Sequence, residues 1–143
     1  MNVTSILLKK GYGAATVEPD TKISDAVLRM QIRNIGALIV SEDRHDVGGL
    51  ISERDIIFSL ADFGAEILEF PVRVFMTKNI ITCQPHHLIT DVMAIMTDNH
   101  IRHVPVVEPS RILGIVSIGD IIKSRVDELQ AESDEMVRYI RYA

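Results

Sequence analysis

The chain has 143 residues, enough for one domain with a substantial core. Its formal charge of −5 argues against a dedicated nucleic-acid binder, which would carry a basic stripe, and no apolar stretch approaches the roughly 20 residues of a membrane span. Hydrophobic residues make up 47% and aromatics 5%, with no Trp, so an aliphatic core filled out by Met is expected; the single cysteine, Cys83, allows no internal disulfide and fits a cytoplasmic setting.

Val3 to Lys10 carries Val3, Ile6 and Leu7 at helical spacing and runs into Gly11 and Gly13, which predicts a short N-terminal helix. Its greasy run, Ile6-Leu7-Leu8, is too short for a signal peptide. Ala14 to Val17 reads as a short strand. Ser24 is the expected N-cap of a helix whose apolar face is Ile23, Val27 and Met30, stopped by Gly36. Ala37 to Val40 reads as a buried strand, Ser41 to Asp46 as a loop and Val47 to Ile51 as the next strand. Gly48-Gly49 leaves that strand open to close approach by another group. Ser52 then starts a helix through Ile56, Ile57 and Leu60. Within the linker 63–79, Pro71 opens a helical turn from Val72 to Met76. Beyond it the pattern predicts a strand at Ile80 to Cys83, a helix from Thr90 to Asn99, strands at Val104 to Val107 and Ile112 to Val116, and a final, longer helix from near Ser117.

The second series repeats the first. A shift of 66 positions lays Thr16, Pro19, Ile23, Asp25, Met30, Ile35 and Val40 on Thr82, Pro85, Ile89, Asp91, Met96, Ile101 and Val106. With one residue removed from the following loop, Gly49, Ser52, Asp55 and Ser59 fall on Gly114, Ser117, Asp120 and Ser124. Two copies are too few for a solenoid, so two similar units packed with pseudo-twofold symmetry are expected, sharing one core and leaving a cleft between them. The predicted division is 1–62 for the N-terminal helix and first copy, 63–79 for the linker, and 80–143 for the second copy and final helix. The fold class is α/β (α+β), each copy running strand, helix, strand, strand, helix. On the final helix, Ile122, Leu129 and Met136 stand seven apart beside Val126 and Ile140; this stripe either packs back on its own domain or forms a dimer seam.

Each copy carries Gly-x-x-Ser-x-x-Asp where a strand meets a helix: Gly49, Ser52, Asp55 and Gly114, Ser117, Asp120. Ser-x-x-acid at a helix start is also a capping box, a purely structural device. Its occurrence twice, each time after a strand glycine, favours a ligand as well. A helix N-terminus suits a phosphate, Ser can donate to a phosphate or sugar oxygen, and Asp accepts from the paired hydroxyls of a ribose.

The period, the element order, the two motifs and His103-Val104-Pro105-Val106 together resemble a tandem pair of cystathionine β-synthase (CBS) domains, a Bateman module, from about Thr16 to the last helix. The resemblance implies an adenosine ligand held by Ser52 and Asp55 and by Ser117 and Asp120. It places Thr16 and Thr82 beside the base, and Ala37-Leu38 and Val104-Pro105 along the wall against which the base lies. Arg54, replaced by Gly119 in the second copy, would complete a phosphate site, and Arg102 and His103 would serve ligands from the centre of the cleft. It further implies a homodimer and a sensor of AMP, ADP or ATP that regulates a partner protein in trans. An NAD(H) or S-adenosylmethionine sensor on the same fold is the alternative. A third reading is a metal-dependent enzyme. Cys83-x-x-His86, with His87, and His100-x-x-His103 have zinc-like spacing, yet the first copy has Val17, Asp20, Asn34 and Ala37 there, so the fold itself needs no metal. No metal and no catalytic residue are expected, since neither a nucleophile elbow nor a Gly-rich phosphate loop appears.

Overall fold

A computed structural model describes residues 1–142. The elements follow in the order α1 (Val3–Lys10), β1 (Thr16–Val17), α2 (Ile23–Arg33), β2 (Ala37–Val40), β3 (Gly49–Ser52), α3 (Glu53–Phe63), a 3-10 turn (Ala65–Glu69), α4 (Val72–Phe75), α5 (Ile89–Asn99), β4 (His103–Glu108), β5 (Arg111–Ser117) and α6 (Ile118–Tyr142). The repeat is visible in backbone detail. Asn34 and His100, 66 positions apart, both end their helices in the left-handed conformation at φ 53°. In the antiparallel pairs, Ala37 faces Ser52 in the first copy and His103 faces Ser117 in the second, the same register displaced along the chain.

The copies differ at their first strand. β1 pairs with β2 in parallel over two residues. Its counterpart, expected as a strand at Ile80 to Cys83, is reduced to one parallel bridge between Cys83 and Val106. Cys83 N donates to Pro105 O at 2.9 Å and its carbonyl accepts from Val107 N at 2.9 Å, but Pro105, which stands where the first copy has Ile39, has no N–H to donate to Ile81 O as Ile39 N does to Ala15 O at 3.1 Å, so the ladder is one residue long. Ser24 is not a cap: α2 starts at Ile23 after Lys22, with no side-chain cap. Its buried face is Ile23, Ala26 and Met30, with Val27 exposed.

Two cores and a seam replace the single expected core. One cluster fills the first copy, with Val17, Leu38, Ile51 and Ile56 joined by Ile67 and Val72 from the connecting segment. Another fills the second copy around Ile89, Met96, Val104 and Val116. α1 belongs to this second cluster, through Val3, Ile6 and Leu7, although it precedes the first copy in sequence. Where the copies meet, Ala37, Ile39 and Leu50 pack with Ile80, Ile112 and Ile115. Only the start of α6 is buried, at Ile121 and Ser124. Ile122, Val126, Leu129, Met136 and Ile140 are all more than half exposed, so the reading in which α6 packs back along its own domain does not hold. No helix among the described residues is long and apolar enough to cross a membrane.

Candidate functional site

Both Ser-x-x-Asp motifs fold as capping boxes. Ser52 leaves β3 with extended dihedrals, φ −114° and ψ 165°, and caps α3. Its Oγ accepts from Asp55 N at 3.2 Å, while Asp55 Oδ2 accepts from Ser52 N at 2.9 Å and from Ser52 Oγ at 3.0 Å. Asp55 Oδ1 accepts from Thr77 Oγ1 at 3.2 Å. In the second copy, Ser117 Oγ accepts from Asp120 N at 3.2 Å and Asp120 Oδ2 from Ser117 N at 2.9 Å. Each helix start is also tied to the front of the adjacent strand: Glu53 N donates to Gly36 O at 3.0 Å and Ile118 N to Arg102 O at 2.8 Å.

The motif glycines serve the chain itself. A Cβ on Gly49 would lie 2.9 Å from Thr77 O and 2.6 Å from Met76 Sδ, because the segment entering the second copy bridges Leu50 through Thr77. A Cβ on Gly114 would lie 2.8 Å from Leu7 Cδ2. The close approach expected at these strands is therefore made by backbone in the first copy and by α1 in the second.

Around the first motif lies a cleft of about 520 Å³ built from both copies. Ser52, Arg54 and Asp55 face Arg102 and His103 across it, with Ile57, Ile80 and Ile81 as apolar wall. Five of the residues anticipated from sequence thus meet in one place. Thr77 and Asn79, not anticipated, also line it; the repeat aligns them with Gly11 and Gly13, which offer a ligand no side chain, so it gave no signal for them. Arg54 stands with its guanidinium carbon 5.9 Å from the Phe58 ring centre. His103 is half-buried between the copies. Burial pushes its imidazole below the ordinary value, with Lys10 and then Arg102 adding to this against the Glu53 and Asp120 carboxylates.

Other anticipated residues lie elsewhere. Ala37, Leu38 and Val104 are buried within the hydrophobic clusters, and Pro105 is buried beside them, so none forms an open wall of the cleft. Thr82 is exposed outside it. Thr16 lines a separate groove of about 470 Å³ with Arg29, Arg33 and Arg44. Ser117 and Asp120 sit at the second motif, where Asp120 is engaged by Lys10 Nζ at 2.8 Å. Burial works to raise the Asp120 carboxyl, but Lys10 and the Ser117 N–H outweigh it and hold the group below its ordinary value.

The Cys/His constellation does not converge. Cys83 is buried, and burial pushes its thiol up to about 11. His87 is occupied by Gln84 N, and His100 terminates α5. Among the described residues no three His, Cys, Asp or Glu side chains are grouped to hold a metal ion. The reading of an enzyme built on His86, His100 and His103 therefore loses its metal centre.

The profile of the CBS domain family matches residues 11–62 and 72–127. Among solved structures, the CBS-domain containing protein ATU1752 from Agrobacterium tumefaciens is 40% identical, with a TM-score of 0.84 over 87% of this chain and 99% of that one. The CBS domain pair of protein MJ0100, solved in complex with 5′-methylthioadenosine and S-adenosyl-L-methionine, is 26% identical with a TM-score of 0.79, over 90% of this chain and 98% of that one. The CBS domain-containing protein CBSX3, mitochondrial, of Arabidopsis thaliana is 34% identical over 126 residues; these cover 85% of this chain and 61% of the relative's length. With two family matches that fall on the two copies of one repeated unit, the chain belongs to the CBS domain family as a CBS domain pair, a regulatory module.

Proposed function

We propose that the chain is a sensor that binds an adenine nucleotide, AMP, ADP or ATP, in the cleft between its two CBS domains and signals the bound state to a partner protein in trans. The observation that carries this reading is the convergence of Ser52, Arg54 and Asp55 from one copy with Arg102 and His103 from the other around a single cleft of about 520 Å³. The volume falls within the roughly 300–1,000 Å³ of small-molecule sites. Asp55 supplies an acceptor for ribose hydroxyls, the start of α3 and the two arginines suit phosphates, and Ile57, Ile80 and Ile81 offer apolar surface to a base. Because the cleft draws on both copies, a ligand bridging them would favour one relative placement of the copies over another. The regulatory energy is the difference in its affinity for the two states.

An S-adenosyl ligand is the second reading, favoured by the complex of the MJ0100 domain pair. NAD(H) is a third ligand with the same adenosine end. A thermal-shift screen of AMP, ADP, ATP, NAD and S-adenosylmethionine, followed by titration calorimetry, tests these choices. A ligand at about 100 times its dissociation constant stabilises by about 2.7 kcal/mol. A phosphorylated adenosine ranking first supports the proposal; S-adenosylmethionine ranking first replaces it with the second reading; no stabilisation by any of them sinks both.

A further inference from the structure

The two motifs are alike in sequence but not in what faces them. At the first, Asp55 meets the neutral hydroxyl of Thr77, 3.2 Å away, and the cleft in front is about 520 Å³. At the second, α1 lies across the motif. Its Leu7 is fully buried against β5, where Gly114 leaves room for it. From the last turn of α1, the Lys10 ammonium reaches two acceptors at once, Asp120 Oδ2 at 2.8 Å and the Ile115 carbonyl at 2.9 Å. Lys9 stands 3.7 Å from Asp127, one more ion pair between α1 and α6. The space left beside Asp120 is about 210 Å³ and is rimmed by Lys9, Lys10 and Lys123. The first copy is covered in the same way by α4: Val72 N and Arg73 N donate to Thr21 O and Pro19 O as Val3 N and Thr4 N do to His87 O and Pro85 O, but the segment that follows α4 brings Thr77, not a lysine, to the motif carboxylate.

We propose that Lys10 is a built-in occupant of the second motif: its ammonium takes the carboxylate that would otherwise receive a ribose, so that the chain binds one nucleoside ligand, at Asp55, and not two. This rests on the nucleotide reading of the first cleft and decides which of the two motifs a ligand enters. A ribose hydroxyl is a neutral donor, and it competes poorly with an ammonium already placed on the same oxygen and backed by a second acceptor. The Thr77 contact at the first motif is the weaker kind, a long bond between a hydroxyl and a carboxylate, which a ribose hydroxyl replaces in kind.

Lys10→Met keeps the aliphatic stem against α6 and removes the ammonium, while Lys10→Arg keeps a cation. Titration calorimetry with AMP on full-length wild type, both variants and Lys10→Met/Asp120→Ala reads the number of sites. The expected result is one site in wild type and Lys10→Arg, and a second site in Lys10→Met that disappears in the double variant. Affinity at that second site should rise on the order of tenfold or more over wild type, the size of one charge-assisted contact released. Two sites in wild type, weaker binding in Lys10→Met, or no added site in Lys10→Met overturns the proposal. Failure of the nucleotide reading is seen separately: wild type then binds nothing at the first cleft, and Asp55→Ala changes nothing.

Discussion

Asp55 has two tasks in this structure, and substitution separates them. Asp55→Ala deletes the Oδ2 acceptor of Ser52 N and Ser52 Oγ, at 2.9 and 3.0 Å, and the Oδ1 acceptor of Thr77 Oγ1, at 3.2 Å. Asp55 N still donates to Ser52 Oγ, so half the capping box survives. The side chain is half-buried and the orphaned donors reach water, which keeps the loss near that of an ordinary cap, about 1 kcal/mol. For a chain of this size that is a fall of roughly 3–4 °C in Tm. Loss of ribose hydrogen bonds to a carboxylate costs about 1.5–3 kcal/mol more, about ten- to a hundredfold in affinity. Asp55→Asn keeps an oxygen for Ser52 N–H but loses the charge. It should lower Tm less than Asp55→Ala while still weakening AMP about tenfold. Thermal unfolding without ligand and calorimetry with AMP read the two effects independently. If both variants lower Tm and leave the AMP affinity unchanged, Asp55 is a helix cap and nothing more.

Arg54→Ala should reduce the preference for AMP over adenosine by about tenfold at the first cleft, measured by parallel titrations, since a guanidinium–phosphate contact discriminates by charge. The His103 imidazole sits below its ordinary value, so near neutral pH it is uncharged and takes up a proton only on acidification. Below about pH 6.5 the unfolded chain binds more protons there than the folded one, and apo stability falls as pH falls through that window. A bound phosphate would raise the imidazole's pKa, so AMP affinity should climb over the same window in wild type and stay flat in His103→Gln, as pH-dependent calorimetry would show. With its thiol at about 11 and buried, Cys83 should resist iodoacetamide at pH 8 in the folded protein and react on unfolding, as mass spectrometry reads. The exposed stripe of Ile122, Leu129 and Met136 on α6 should hold two chains together at micromolar concentration, and Leu129→Glu should shift the sedimenting mass toward the monomer.

Most of the fold was legible because the repeat and the 3.6 and 2.0 periodicities are local signals. Ser52 and Ser117 announce their helices, and the shared register of β2–β3 and β4–β5 follows from the offset between the copies. Ser24 misled because the helix start is set one residue earlier, where Ile23 N donates to Phe70 O across the fold. The strand at Ile80 to Cys83 misled because a pattern within the segment says nothing of its partner, where Pro105 lacks the N–H that Ile39 supplies in the first copy. Val27 and Leu60 fit an apolar stripe yet are exposed, since periodicity tells which residues share a face and not what covers it. The site was legible where the motif residues are themselves the lining, as with Ser52, Asp55, Arg102 and His103. It was not legible at Asp120, whose neighbour Lys10 is 110 positions away in sequence. No pattern within either copy points to α1, which the fold carries from the front of the first copy onto the second.

In the proposed function one cleft, made by both CBS domains, takes the adenosine ligand. Amide NMR of the full chain titrated with AMP tests it most directly. The expected result is saturable shifts concentrated at Ser52 to Asp55, Thr77 to Ile81 and Arg102 to His103, with one ligand per chain and no direct contact at Asp120. Shifts centred on Ser117 to Asp120 instead, or an unchanged spectrum with AMP, ADP, ATP, NAD and S-adenosylmethionine alike, would contradict it.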